Sequence, residues 1–178
     1  MRRRTFIWSL PVIGSAGLFS LNGCGGGGAE ETVVKRTGPS EAGKPFIVNA
    51  APLNPQNVHE VLANANDGEE VVAIGRVGGR VNPWVKGLAV FNFVDVSKLA
   101  CNENCQESCP TPWDFCCVPD LKENRILVQV PDASGDPIAE DAKSMLGLLE
   151  LDTLVISGTV SKDDNGNVIL LLSQASIK

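Results

Sequence analysis

Five cysteines stand within 17 residues near the middle of the chain, and they constrain its fold more than any other feature. They are Cys101, Cys105, Cys109, Cys116 and Cys117, in the spacing C-x3-C-x3-C-x6-C-C. Segments rich in strand-forming residues flank this Cys-rich segment on both sides, so the chain must leave a β-structure and return to it. The sequence therefore predicts a thiol-rich loop inserted between two strands.

Disulfides are the first prediction for these five positions. In an oxidising compartment clustered cysteines usually pair, and closing a loop as long as that from Cys101 to Cys116 contributes roughly 3 kcal/mol to stability. Five cysteines cannot all pair with one another, however. One of them must stay free, bind something or meet another chain.

A metal site is the alternative, because thiolates at x3 spacing can converge on Zn²⁺ or Cu(I). The segment lacks the C-x2-C pairs of zinc ribbons, and its spacing matches neither ferredoxin pattern, which argues against an iron–sulfur cluster. The missing C-x-x-C also argues against thioredoxin-like redox chemistry. Together with the residues 110–115, the segment resembles a Cys-rich segment of secreted proteins from planctomycete-like bacteria, and this resemblance implies no activity.

The N-terminus has the layout of a signal peptide. Arginines occupy positions 2–4, an apolar run of 16 residues extends from Phe6 to Leu21, and Gly23 precedes Cys24. The run is shorter than the roughly 20 residues that cross a bilayer comfortably. The sequence therefore predicts a cleaved signal over residues 1–23 rather than a retained membrane helix.

Two family resemblances refine this prediction. Arg3-Arg4-Thr5-Phe6-Ile7 resembles the twin-arginine export motif, and Leu21-Asn22-Gly23-Cys24 resembles the lipobox of bacterial lipoproteins. The second resemblance implies a diacylglycerol on Cys24 and a membrane contact made by its acyl chains. We therefore expect a lipid-anchored protein on the periplasmic or surface side of the cell envelope, exported by the twin-arginine route or by ordinary Sec export.

A flexible tether is predicted over residues 24–44, where glycines are frequent and apolar residues are few. Loss of the three signal arginines leaves 12 Lys and Arg against 21 Asp and Glu, so the net charge changes from -6 to -9. Such a charge repels phosphate backbones, which argues against nucleic acid as a partner. An envelope protein or a small ligand remains possible as a partner.

Residues 45–69 are predicted to form an extended segment and a short amphipathic helix, with Val58, Val61, Leu62 and Ala65 at helical spacing. Residues 70–178 are predicted to form a mainly β domain, with a Cys-rich loop at 99–120 and a helix of about three turns after Asp136-Pro137. Five segments have strand character: Glu70–Val81, with glycines that suggest a bulge or a strong bend, Leu88–Val96, Arg125–Val130, Thr153–Ser161 and Asn167–Ser176.

This order of elements resembles the OB-fold, a five-stranded Greek-key barrel with a helix between strands three and four. Val72–Val77 and Val155–Val160 are similar to its first and fourth strands, and a small β-sandwich is the alternative fold. The resemblance implies a ligand face near Arg80, Trp84 and Lys86, where Trp84 could stack on a flat ligand. The structural alternative is that Trp84 caps the barrel and that the nearby phenylalanines 91 and 93 are core.

No catalytic constellation emerges from the sequence. The single histidine, His59, precedes the β domain and is expected to be a surface helix residue, and no nucleophile-elbow serine motif is present. The leading hypothesis is a non-enzymatic, lipid-anchored envelope module that binds a partner protein or a small ligand and carries a disulfide-stapled loop. The second hypothesis is a Cys-ligated Zn or Cu protein, and the third is a redox enzyme that uses a leftover thiol.

Overall fold

The computed structural model describes residues 36–104, 109–163 and 166–178. The predicted signal, the lipidation site Cys24 and the predicted ligand Cys105 lie outside the described residues. Within the described part of the chain, no helix has the length and apolar character needed to cross a bilayer.

Within the described residues, six strands and three short α-helices make up a mainly β fold. The strands are β1 Gln56–Asn57, β2 Glu70–Val77, β3 Val90–Asp95, β4 Arg125–Gln129, β5 Thr153–Lys162 and β6 Val168–Ile177. The helices are α1 Val58–Asn64, α2 Cys101–Asn104 and α3 Ala142–Leu146. All five predicted strands and the predicted helix before them are present, with small shifts at their ends.

The sheet closes on itself. Its order is β1-β2-β3-β4-β6-β5, and β2 pairs antiparallel with β5 as well as with β3. The β4–β6 pairing is parallel, and the β3–β4 and β5–β6 pairings are antiparallel. The result is a closed five-stranded mixed β-barrel with β1 as an extra strand, so the alternative prediction of a β-sandwich is wrong.

Glycines allow close approach where the barrel bends. A Cβ on Gly75 of β2 would lie 2.6 Å from Cε1 of Phe93, so only glycine lets β2 run over that ring. The register shift in the sheet falls between Ser157 and Gly158 of β5, where a Cβ on Gly158 would lie 2.4 Å from the Leu171 carbonyl oxygen. The extra residue at this shift is Ser173 of β6, which has no partner in β5, so the irregularity lies between β5 and β6 and not at the glycines of the predicted first strand.

The main core fills the barrel and the space beneath α1. Its largest fully buried side chains include Phe91, Phe93, Ile156 and Leu170. Alternation places them inside, since successive residues of a strand point to opposite faces. Phe91 and Phe93 are therefore core residues, as the structural alternative predicted, and the sheet is fixed around them.

Helix α3 is shorter than predicted. It begins after Asp141 and ends at Gly147, which adopts a left-handed φ of 67°. Ile138 does not join it, because its amide donates to Val130 and its carbonyl accepts from Ala89. Hydrogen bonds to the barrel thus compete with the first helical turns that Asp136-Pro137 suggested.

The described part of the predicted tether contacts the barrel. The Arg36 guanidinium donates two hydrogen bonds to the Asp152 carboxylate, at 2.7 and 2.6 Å. The Ser40 amide donates to the Met145 carbonyl at 2.9 Å, and Gly43 is buried against the same carbonyl group. Residues 36–44 therefore belong structurally with the β domain, and the rest of the predicted tether, residues 24–35, lies outside the described residues.

Candidate metal centre

The Cys-rich segment leaves the barrel after β3 and is hydrogen-bonded to the start of the preceding loop, which follows β2. The Trp113 indole donates to the Val81 carbonyl at 2.9 Å, and the Gly79 amide donates to the Trp113 carbonyl at 2.7 Å. A Cβ on Gly78 would lie 2.5 Å from that same Trp113 oxygen. The short 3-10 turn Pro112–Asp114 is therefore pressed directly against the backbone that follows β2.

Phe115 anchors the segment and reverses its direction. Its side chain is fully buried with Val94 and Ala100 in a second, small core cluster. Its backbone has a left-handed φ of 55°, which is uncommon for a residue with a bulky side chain. The reversal brings the residues on either side of Phe115, Asp114 and Cys116, back toward Cys101.

Four potential ligand atoms meet at this reversal. The Sγ atoms of Cys101, Cys109 and Cys116 and a carboxylate oxygen of Asp114 all lie within 4.8 Å of one another. Cys101 Sγ lies 3.2 Å from Cys116 Sγ and 3.3 Å from Asp114 Oδ1. Cys101 is buried, Cys109 and Asp114 are half-buried, and Cys116 is exposed. We call these four residues the Cys3Asp cluster.

The carboxylate of the Cys3Asp cluster is held in its charged form. Burial raises the pKa of Asp114, but hydrogen bonds from the Cys116 amide, the Cys101 thiol and the Thr111 hydroxyl outweigh it and leave the pKa below its usual value. The Cys101 side chain, followed by the Asp114 carboxylate, raises the pKa of the Cys116 thiol to about 12. Without a cation the group thus contains one carboxylate, which disfavours a thiolate beside it.

The spacing of the ligand atoms suits a small tetrahedral ion. With Zn–S bonds of about 2.3 Å, the sulfur atoms of a tetrahedral zinc site lie roughly 3.8 Å apart. The 3.2 Å between Cys101 and Cys116 is slightly shorter than this, so an ion would have to push these sulfur atoms apart by about half an ångström. Exposure of Cys116 leaves room for that movement.

The structure separates the predicted cysteines into different groups. Cys101, Cys109 and Cys116 are free thiols, so no disulfide joins them as the first prediction required. Cys117 is not one of the four clustered residues, although its Sγ lies 3.8 Å from that of Cys116. Cys105 lies outside the described residues. The disulfide prediction is wrong for the three free thiols, because even the 3.2 Å between the sulfur atoms of Cys101 and Cys116 exceeds the roughly 2.05 Å of a disulfide bond.

Asp114 was missed by the sequence analysis. Its only signal in the sequence is its place two residues before Cys116, which resembles many ordinary turn aspartates. Its role depends on the left-handed Phe115, a conformation that a phenylalanine does not indicate.

Of the three residues predicted to form a ligand face, only two lie at the same cavity. Arg80 and Trp84 line one open cavity of about 710 Å³ beside β3 and β4, whereas Lys86 does not line it. The Trp84 indole donates to Glu150 at 2.8 Å, and its ring lies 6.0 Å from that of Phe91 between centroids. Trp84 is therefore packed at the rim of the barrel, as the structural alternative held, with part of its side chain still facing the cavity.

His59 lies on α1 with its side chain 46% exposed, as predicted for a surface helix residue. Its Nδ1 lies 2.8 Å from Oδ2 of the fully buried Asp95. The same carboxylate accepts the amides of His59 and Ser97, at 2.9 and 2.8 Å. Burial raises the pKa of Asp95, but these hydrogen bonds bring it below its usual value. The arrangement ties the start of α1 to the end of β3.

The fold is a β-barrel, and its inserted loop brings three thiols and one carboxylate close enough together to hold a metal ion. Comparison with protein-family models, with curated proteins and with solved structures finds no match for this chain. The functional argument therefore rests on the chemistry of the residues themselves.

Proposed function

We propose that this protein is an exported, lipid-anchored envelope module that binds one Zn²⁺ ion through Cys101, Cys109, Asp114 and Cys116. The observation that carries the proposal is the convergence of three thiols and one carboxylate within 4.8 Å at the reversal around Phe115. The four residues lie in α2, in the loop that follows it and at the reversal around Phe115, and this convergence of metal-ligating atoms supports a metal site.

Zinc is favoured over Cu(I) by the donor set. Both ions accept thiolates, but a carboxylate oxygen is an ordinary ligand for Zn²⁺ and a poor one for the softer Cu(I). Three thiolates and one carboxylate carry four negative charges, so the divalent ion also neutralises more of the local charge. Cu(I) is thus the competing ion that an experiment must exclude.

The proposed role of the ion is structural rather than catalytic. Catalytic zinc sites usually keep one position for water, whereas four protein ligands complete the tetrahedron. Zn²⁺ would join the α2 end of the loop, at Cys101, to the turn that ends at Cys116. This supports a non-enzymatic module whose inserted loop is held in one shape for binding.

The proposed export route and the fold agree with a structural role for the zinc ion. The order of the strands, with β2 paired to both β3 and β5 and β4 parallel to β6, supports the resemblance to an OB-fold. Twin-arginine export would move the protein already folded, so the metal could be bound before the thiols meet an oxidising compartment. Loss of the metal there would favour a disulfide between Cys101 and Cys116, whose sulfur atoms already touch.

Native mass spectrometry of the full chain carrying Cys24→Ser tests the proposal. The protein is prepared with reductant and offered equal amounts of Zn²⁺ and Cu(I). We expect one zinc per chain in the native spectrum and none after denaturation. Asp114→Asn is expected to weaken zinc binding by about tenfold or more, since it removes a charged ligand. Asp120→Asn, the same change at a nearby carboxylate outside the Cys3Asp cluster, should retain the full stoichiometry.

Three results would contradict the zinc proposal. An apo mass under these conditions would exclude a metal site, and a stable copper adduct would assign the Cys3Asp cluster to Cu(I). A disulfide that joins two of Cys101, Cys109 and Cys116, located by peptide mapping of protein taken directly from the periplasm and unchanged by added zinc, would instead support the disulfide-stapled module.

A further inference from the structure

A second candidate site lies on the barrel, in the cavity of about 710 Å³ beside β3 and β4. Three cationic side chains line it: Arg80, Lys122 and Arg125. Within the described residues, none of the three forms an ion pair with a carboxylate. Of the lining residues only Asp163 is acidic, and its carboxylate already accepts hydrogen bonds from the Asn167 amide and side chain, at 2.8 and 2.7 Å.

The position of Arg125 shows that this charge is held in place. Its guanidinium donates to the Gly79 carbonyl at 2.6 Å. Its Cδ atom lies 2.6 Å from the position that a Cβ on Gly79 would take. Burial and then the charge of Arg80 lower the pKa of Arg125. Two guanidinium groups thus lie near each other and neither forms an ion pair within the described residues, in a chain whose overall charge is negative. A bound anion would remove this repulsion.

The remaining lining residues suit the uncharged part of a small ligand. Asn82, Asn92 and Asn167 supply amide groups, and the half-buried Trp84 and Ile169 supply apolar surface. The volume lies within the range typical of sites for small organic molecules. We propose that this cavity binds a small ligand that carries a phosphate or sulfate ester, with Arg80, Lys122 and Arg125 around the ester oxyanion.

The acidity of the chain argues for a small ligand rather than a polymer. The predicted mature charge of -9 repels a long polyanion wherever it leaves the cavity, whereas a single ester group meets only the local cations. The cavity does not include any residue of the Cys3Asp cluster, so the two proposals can fail independently.

The test is a titration of the full chain carrying Cys24→Ser, in which the NMR shifts of the backbone amides of residues 79–82, 84 and 85 are measured. The probes are glucose 6-phosphate, glucose 6-sulfate and unmodified glucose. We expect saturable shifts with the two esters and none with glucose, and the tighter ester identifies the oxyanion. Arg80→Gln and Lys122→Gln should each weaken binding by about tenfold or more, as for other hydrogen bonds to charged groups.

Lys86→Gln is the matched control, because Lys86 is exposed in the loop after β2 and lies outside the cavity. It should leave the affinity within about twofold. Equal weakening by Lys86→Gln and Arg80→Gln, or no saturable shift with either ester, would overturn the proposal. Tighter binding of a DNA duplex than of either ester would also overturn it and assign the face to nucleic acid. Cys116→Ala should bind the esters normally, whatever its zinc content.

Discussion

Replacing Phe115 with alanine should destabilise the inserted loop more than any other single truncation in it. Phe115 is fully buried, and it is the largest side chain of a cluster whose other buried members are Val94 and Ala100. Truncation of a buried phenylalanine to alanine typically costs about 3–5 kcal/mol. The cluster is small and is bordered by the half-buried Val118 and Leu121, so it can partly collapse, and we expect about 3 kcal/mol.

The same substitution should also weaken zinc binding. Alanine keeps the left-handed backbone as unfavourable as before but removes the packing that stabilises it. Asp114 and Cys116, on either side of residue 115, would then no longer be held near Cys101. Zinc binding would have to order them, and this loss of conformational freedom would weaken the affinity. A single change outside the ligand set is thus expected to lower both stability and metal affinity.

Urea denaturation, monitored by far-ultraviolet circular dichroism and by tryptophan fluorescence, measures the loss of stability. Its repetition with and without zinc measures the loss of zinc affinity. The loss of about 3 kcal/mol corresponds to a fall in Tm of roughly 10 °C for a domain of this size. Leu99→Ala is the control, because Leu99 is 51% exposed in the same loop and should change stability by no more than about 0.5 kcal/mol. A Phe115→Ala protein that matches Leu99→Ala in both stability and zinc affinity would refute the anchoring role.

Two further changes test other parts of the fold. Gly79→Ala should lower the free energy of unfolding, measured by urea denaturation, by about 2 kcal/mol or more, because the φ of 91° disfavours alanine and the new Cβ would lie 2.6 Å from Cδ of Arg125. Gly135 has the same φ but open space around it, so Gly135→Ala should lower the free energy of unfolding by only about 1 kcal/mol. Equal losses in the two variants would show that the contact with Arg125 contributes nothing. Asp95→Asn should cost about 2 kcal/mol or more, since it weakens the hydrogen bonds from His59. Folding lowers the pKa of Asp95, so its carboxylate stabilises the protein above a pH of about 4, and this stabilisation is lost as the pH falls through the lowered pKa. The wild type should therefore lose more stability on acidification than Asp95→Asn. Parallel profiles of stability against pH for the two proteins would contradict this.

The strands could be predicted from the sequence because their signals are local. Alternation of apolar residues and turn residues marked all five barrel strands to within a few residues. The extent of α3 could not be predicted, since Ile138 is held by hydrogen bonds to residues of the barrel far away in sequence. The docking of Arg36 on Asp152 is equally non-local and leaves no trace in a glycine-rich, polar segment.

The candidate sites show the same division. The cysteine spacing indicated a thiol-rich loop and a possible metal, but the choice of three cysteines and one aspartate depends on the backbone reversal at Phe115. On the barrel face, Arg80 and Trp84 were predicted from the resemblance, whereas Arg125 and Lys122 were missed because they lie at the far end of the Cys-rich segment, some forty residues later. Closure of the barrel places them beside Arg80.

The pairing of β2 with β5 has a consequence for the rate of folding. These strands stand near opposite ends of the β domain, so the barrel closes only after a long stretch of chain has been brought together. Folds dominated by such distant pairings reach the native state in about milliseconds to seconds, more slowly than helical bundles. During that interval both strands present open edges to other chains. The proposed twin-arginine route would export the protein only after the barrel has closed, so these edges would already be paired when it leaves the cytoplasm.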